Sequence, residues 1–400
     1  MLVILTGTVG FAALAGAEPL SFRSLEDTGL IPTDLSADGL TVVGNAGIDS
    51  VVQAAIWTAD GGLVGLGVPP GFDTSEARGV SADGSVVVGK CFADPMYEAF
   101  VWTSDSGIVA LGDLPNGPHH SIADWVSADG SVVLGRGTTV DGAQYIRWTA
   151  DSGMVGLGDL FGGAMIRDMS ADASVMVGNL ADEAVRWTAD EGLTGLGYIV
   201  FGHWSIATAS SADGSIIVGF GDSPWVGTNE SEAFRWTADE GIVRLGFLPD
   251  RYSRDSQATA VSGNGSVVVG QSPGDGGPAM VWDEINGMRG LRALLVDAGL
   301  DMTGWAIVDP IAISWDGRTI VGRGAFQGQT RYWLITGYPA PGTGCNPADF
   351  NVDGMLDVED ISVFVVAFSG QASAADLDDN GLFDLADIVA FINAFEAGCP

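Results

Sequence analysis

Short apolar runs separated by glycine-rich polar turns fill the chain from about residue 20 to residue 337. The runs are rich in β-branched residues, as in Ser85-Val-Val-Val-Gly89, Ser131-Val-Val-Leu-Gly135 and Ser215-Ile-Ile-Val-Gly219, and their length and composition predict strands rather than helices. The pattern repeats. A turn of the form Ser-x-Asp/Asn-Gly, or a close variant, recurs at Ser36, Ser81, Ser127, Ser170, Ser211, Ser262 and Ser314, at intervals of 45, 46, 43, 41, 51 and 52 residues. An apolar stretch ending in Trp recurs with it, at Trp57, Trp102, Trp148, Trp187, Trp236, Trp282 and Trp333. Five of these tryptophans lead into Thr-Ala/Ser-Asp-x-Gly and an apolar run ending in Leu-Gly, as in Ile108-Val-Ala-Leu-Gly112.

One unit therefore reads as four strands. In the second repeat they are a (Ala77–Val80 with its flanks), b (Ser85–Lys90), c (Glu98–Trp102) and d (Gly107–Gly112). The a–b and c–d connections carry Asp-Gly or Asp-x-Gly, which tolerate the positive φ of tight hairpins. Four strands per unit, repeated seven times, predict an all-β seven-bladed β-propeller; an open solenoid or two packed sheets is the rival. The Leu-Gly strand is present after the first five tryptophans and degenerate after Trp282 (Met288-Arg-Gly-Leu-Arg292). After Trp333 it is missing, and Leu20-Ser-Phe-Arg-Ser-Leu25 is placed to supply it, closing the last blade with the N-terminal strand and removing the free sheet edges. The recurrent tryptophans are expected to pack between blades, burying roughly 200 Å² each, and the Ser-x-Asp-Gly turns are assigned no chemistry.

The a–b and c–d turns are short and nearly constant, so one face of the disc is predicted to be smooth. The b–c and d–a connections vary and emerge on the other face: Val68–Glu76, Cys91–Tyr97, Asp113–Ile122, Phe220–Ser231, Phe247–Gln257 and Ser272–Gly277. They carry Tyr97, His119, His120, Trp225 and Tyr252, so this variable face is where a glycan or protein ligand is expected.

Charge narrows the partners. Sixteen Lys+Arg against 51 Asp+Glu give a net −35, and Lys90 is the single lysine. Nucleic acid is excluded as a partner because phosphate binding needs a basic surface, and a Schiff-base lysine is disfavoured. Residues 1–17 are apolar and end in Ala15-Gly16-Ala17, which predicts a signal peptide cut before Glu18, with a buried first strand as the alternative. No other apolar run reaches the ~18 residues of a transmembrane helix, so a secreted or surface-associated bacterial protein with no transmembrane segment after cleavage is expected. Cys345 and Cys399 bracket the C-terminal tail and are a natural disulfide pair in an oxidising compartment; Cys91 stands alone, without a neighbouring His.

The triplets Glu98-Ala-Phe-Val-Trp102 and Glu232-Ala-Phe-Arg-Trp236, the Leu-Gly-Asp-Leu-Pro-Asn-Gly at 111–117 and the Val-Val-Gly strands resemble the extracellular HAF-repeat proteins over about residues 20–337. The resemblance implies a secreted propeller-like repeat protein with no established chemistry. The His of the HAF triplet is Glu in these two repeats, so the resemblance transfers no His-dependent role. The turns resemble Asp-box hairpins, which are structural.

A Pro/Gly linker, 338–344, leads into a tail of different composition. Residues 345–400 hold 11 acidic and no basic residues. Two twelve-residue segments, beginning at Asp349 and at Asp376, carry oxygen side chains at positions 1, 3, 5, 9 and 12 and Gly at 6, the EF-hand calcium pattern with a backbone carbonyl at position 7. The predicted Ca²⁺ ligands are Asp349, Asn351, Asp353, Met355 (carbonyl), Asp357 and Asp360 in the first loop. In the second they are Asp376, Asp378, Asn380, Leu382 (carbonyl), Asp384 and Asp387. Each loop runs into an apolar helix. Loop plus exit helix, duplicated, resembles a type I dockerin, and Gly344-Cys345 with Gly398-Cys399-Pro400 is similar to the GC-type dockerins, implying a small α-helical calcium-binding anchoring domain at 345–400. The positions that such dockerins use to read a cohesin are Val358, Glu359, Leu385 and Ala386, not hydroxyl residues, which argues against a standard cohesin and leaves an unknown protein acceptor.

The expected function is a secreted, non-enzymatic binding or structural propeller attached to a surface or extracellular complex through a calcium-dependent module. The alternative is a polysaccharide-acting hydrolase or lyase with its active site on the variable face.

Overall fold

The computed structural model describes residues 20–338 apart from 116, 118–119, 159–161, 224–229, 250–253 and 274–276. In the tail it describes Ala348, Ile361, Phe364, Val365, Phe368, Ala375, Leu377 and the helix Leu385–Ala397. The segment 1–17, both tail cysteines, and every predicted calcium ligand except Asp387 lie outside the described residues.

The strands form seven antiparallel four-stranded sheets, each ordered a-b-c-d. In blade 2 the strands are Thr74–Val80, Val86–Ala93, Met96–Thr103 and Gly107–Ala110. Blade 7 is composite. Its outer strand is Ser21–Ser24, paired to Gln329–Thr336 in the register Phe22↔Ile335 and Arg23↔Leu334. The Arg23 guanidinium reaches the Trp57 ring of blade 1 at 4.8 Å, and Leu25 is buried in the cluster shared by blades 7 and 1. The ring is thus closed by both ends of the repeat region.

The repeated tryptophans pack between blades. Trp57 lies with Ala312 and Val321 of blade 7, Trp102 with Val43 of blade 1, and Trp148 with Val88 of blade 2. Trp187, Trp236 and Trp282 occupy the same position on the following blades. Blade 7 departs from the expected series: the position is held by Ile335, paired with Ile320, and Trp333 stands two residues earlier, opposite Gly322 and packed in the core of blades 6 and 7.

Two further repeat features set the geometry of the centre. The Ser-x-Asp-Gly turn is held by its own side chains, as where the Ser81 hydroxyl donates to Asp83 at 2.7 Å and accepts Val86 N–H at 2.9 Å. The turns of neighbouring blades are linked backbone to backbone: Ala37 N–H to Ala82 O, Ala82 to Ala128, Ala128 to Ala171, Ala171 to Ala212, Ala212 to Gly263, Asn264 to Trp315, and Trp315 back to Ala37. This closed circle of hydrogen bonds rims the channel on the smooth face. In addition, every inner strand carries a bulge. The Val-Val-Gly glycine of strand b sits opposite it, so close that a Cβ on Gly135 would lie 1.9 Å from Ile122 O, and one on Gly89 1.9 Å from Glu76 O. The glycine is there because the bulged backbone needs its space.

Two boundaries differ from expectation. The outer strand of blade 6 stops at Gly290, and a short helix, Leu291–Asp297, follows it. Its Leu-Arg-Ala-Leu-Leu-Val-Asp segment lacks Gly and buries Leu291 and Leu295 at helical spacing, which the strand pattern obscures. Tyr338, the first residue of the segment read as linker, is buried in the core of blades 6 and 7 and accepts a hydrogen bond from Arg289 at 2.9 Å.

In the tail, Phe364 and Phe391 stack at 4.1 Å and are buried with Ala348 and Ala375. Among the described residues no helix is long and apolar enough to cross a membrane.

Candidate functional site

The bulges decide what faces the channel. The bulged residue stands three positions before the turn Ser in every blade: Thr33, Arg78, Asp124, Arg167, Thr208, Thr259 and Ile311. All seven line a central cavity of about 350 Å³.

In blades 1, 5 and 6 this position is structural. The threonine hydroxyls donate to the inner strand of the next blade: Thr33 to Ala77 O at 3.1 Å, Thr208 to Ala258 O at 2.9 Å and Thr259 to Pro310 O at 3.3 Å. Blades 2, 3 and 4 place charges there instead. Arg136, on strand b of blade 3, grips Asp124 through Nε to Oδ2 at 2.7 Å and Nη2 to Oδ1 at 3.0 Å. Arg78 Nη1 donates to the same carboxylate at 3.2 Å. This shared carboxylate raises the Arg136 pKa still further above neutrality, so the guanidinium is permanently charged. The buried Nε of Arg78 has no partner among the described residues. Arg167 is exposed and donates through Nε to Asn179 Oδ1 at 3.2 Å.

These groups meet at the mouth of the channel. A cavity of about 660 Å³ is walled by Arg78, Asp124, Arg136 and Arg167, with Trp125 and Tyr145 beside them. Gly163 and Ala164, from the d–a connection of blade 4, place this mouth on the variable side. Three of the chain's 16 basic residues converge on one cavity whose single acid, Asp124, is already bound by two of them. The mouth therefore carries a local positive excess in a chain of net −35.

One residue further along the inner strands, Asp34 and Asp168 line the deeper cavity. Each is half-buried. Asp34 accepts Leu35 N–H at 2.8 Å and Val80 N–H at 3.0 Å, and Asp168 accepts Ser210 N–H at 2.8 Å. Desolvation outweighs these bonds and pushes Asp34 up to about 7 and Asp168 up to about 6. The two carboxylates also repel each other.

Of the residues expected to mark a site on the variable loops, the two described ones meet each other but not the mouth. Tyr97 and His120 stack at 4.5 Å, with His120 Nε2 3.1 Å from Pro95 O; neither lines the mouth, and His119, Trp225 and Tyr252 lie outside the described residues. His203 pairs with Asp222 at 3.1 Å on the surface. Cys91 is buried, and burial, with Glu98 nearby, pushes its thiol up to about 12, so it is no nucleophile. Of the residues expected to bind calcium, the one described, Asp387, is buried near the start of its helix and accepts Leu377 N–H at 2.8 Å. The mouth arginines escaped a search for motifs because they occupy a repeat position whose identity varies; aligning the seven repeats on the turn Ser exposes them.

The fold and its mouth define a closed seven-bladed propeller with a charged centre. No family profile and no curated protein matches the chain. Among solved structures it is similar to an oligogalacturonate lyase in complex with manganese, at 12% identity and TM-score 0.53, covering 80% of this chain and 96% of that one. An oligogalacturonate lyase from Vibrio parahaemolyticus gives 11% identity and TM-score 0.53, covering 80% and 97%. The propeller domain of the trilobed protease of Pyrococcus furiosus gives 10% identity and TM-score 0.49, covering 81% and 97%. At these identities the likeness shows the propeller fold alone.

Proposed function

We propose that this chain is a secreted, non-enzymatic binding propeller of the HAF-repeat kind, displayed on a surface or in an extracellular complex by a GC-type dockerin-like tail. The chemistry of the mouth carries the binding reading. Its groups are guanidiniums and one carboxylate already neutralised by two of them. Among the described residues no histidine, lysine or cysteine lines it, and general acid–base work needs a group poised near neutrality within reach of the reacting bond. Asp34 and Asp168 are so poised, but both are engaged by backbone N–H groups of the channel wall.

For the tail, the pairing of Phe364 with Phe391 at the same 27-residue spacing that separates the loops supports a duplicated loop–helix unit. The buried Asp387 carboxylate turned onto Leu377 N–H supports closure of the second loop. Two Ca²⁺ bind at the ligand sets beginning with Asp349 and Asp376, a Cys345–Cys399 disulfide clasps the module, and its acceptor is a protein other than a standard cohesin. Calcium couples to folding of the tail because the eight proposed ligand carboxylates, crowded into two small loops, repel one another without it.

The test uses the full-length protein. Calorimetric titration is expected to give two calcium ions per chain, and Asp349→Ala together with Asp376→Ala to remove both while leaving the main melting transition in place. Unchanged stoichiometry would overturn the tail assignment. Extracellular polysaccharides incubated with the protein should keep their chain length; shortening would overturn the non-enzymatic reading in favour of a hydrolase or lyase.

A further inference from the structure

We infer that the channel mouth is a binding site for a carboxylate-bearing saccharide, held by the charge and remaining N–H donors of Arg78, Arg136 and Arg167 with the sugar ring beside Trp125. This rests on the binding reading above and names the ligand class for its site. The observations come from the mouth itself. Planar guanidiniums match carboxylates with two parallel hydrogen bonds. Arg78 spends Nη1 on Asp124 and keeps a buried Nε that has no partner among the described residues. Arg167, which lines the cavity, spends only Nε, on Asn179. Asp124 fixes Arg136 and Arg78 in place without filling the pocket, so these two guanidiniums are organised before any ligand arrives. The volume, about 660 Å³, suits one or two sugar units. Trp125 and Tyr145 are half-buried in the wall and supply the apolar surface that a sugar ring, unlike inorganic phosphate, would cover.

The net charge of −35 does not oppose this. At physiological ionic strength exposed charges more than ~8 Å away are screened, so a ligand at the mouth meets the arginines rather than the acidic rim.

The experiment is calorimetric titration of the full-length protein with a glucuronic-acid tetrasaccharide. The comparison probes are a neutral glucose tetrasaccharide, a sulfated tetrasaccharide, inorganic phosphate and a short aspartate-rich peptide. The glucuronate probe is expected to bind, and Arg167→Gln to weaken it about tenfold to hundredfold, the worth of one charge-assisted contact. Arg167 is exposed with a single partner, so its loss leaves the fold intact, which an unchanged melting temperature checks. Arg147→Gln, an exposed arginine of blade 3 that does not line the mouth, should bind as the parent does. Equal binding of the neutral probe, undiminished affinity in Arg167→Gln, or tighter binding of sulfate, phosphate or peptide would each overturn the assignment. Absence of binding by every probe would also overturn it while leaving the calcium-anchored reading standing. Shortening of the glucuronate probe would do the reverse, removing the non-enzymatic reading and keeping the mouth.

Discussion

Replacing Gly135 by Ala tests whether the bulges, and through them the mouth, depend on the strand-b glycines. The added Cβ would lie 1.9 Å from Ile122 O and 3.0 Å from Ala123 Cα. Both are backbone atoms, so no side-chain rotation relieves the clash. Ordinary contact begins near 3.4 Å, and the inner strand of blade 3 must retreat by more than an ångström. Overpacking by one methyl costs about 1–3 kcal/mol where neighbours adjust, and a rigid backbone neighbour places this case at about 3 kcal/mol or above. At about 2.1 cal/mol/K of unfolding entropy per residue over the roughly 320 residues of the propeller, that is a fall in Tm of about 4–5 °C. Gly107→Ala is the control. Gly107 has φ +66 and no atom within 4 Å of its added Cβ, so it suffers only the left-handed backbone penalty of about 1–2 kcal/mol. Differential scanning calorimetry of both variants reads the difference. The displaced strand also carries Asp124, so Gly135→Ala should weaken the glucuronate probe whereas Gly107→Ala should not. A Gly135→Ala melting temperature equal to or above that of Gly107→Ala would refute the close-approach argument.

Removing residues 18–25 deletes the outer strand of blade 7, the Arg23–Trp57 contact and the buried Leu25. Losing Leu25 alone is expected to cost about 2–5 kcal/mol, so a melting temperature unchanged by the deletion would sink the closure. The second expectation concerns pH. Asp34 and Asp168 have folded values raised above the ordinary carboxylate range, so each holds its proton in the native state where the unfolded chain has released it. Their contribution is fully present below about pH 4 and is lost as pH rises through about 6 and 7, at up to about 1.4 kcal/mol per pH unit per group. Arg78, Asp124 and Arg167 share the cavity with them. The slope of Tm between pH 5 and pH 8 should therefore flatten in Asp34→Asn with Asp168→Asn; slopes equal to the parent's would exclude these two carboxyls as its source.

How much of this was legible in the sequence follows from which residues the fold constrains in every repeat. Ser81, Asp83 and Gly84 form a turn that closes on itself, so it had to be written alike each time. Trp102 fills the space between two blades, and Gly89 admits a bulge. Those demands made the seven units, their four strands and the closure by Ser21–Ser24 readable by self-comparison. The helix Leu291–Asp297 was hidden because it interrupts a repeat once, where comparison has nothing to align. The mouth was hidden for the opposite reason. A bulged residue facing a channel is free of the packing that fixes its neighbours, so Thr33, Arg78, Asp124, Arg167 and Ile311 can differ without disturbing the frame. A repeat architecture thereby separates its two tasks by position. The positions that recur build the ring, and inner positions that vary set the chemistry at its centre. Three hydroxyls at the bulge tie blade to blade through backbone carbonyls, whereas on three consecutive blades that position is charged: Arg78 and Asp124 pair side chain to side chain across blades 2 and 3, and Arg167 donates within its own blade. That concentration on one side of the ring makes the mouth asymmetric, and an asymmetric charged mouth on a symmetric frame orients a ligand rather than merely admitting it.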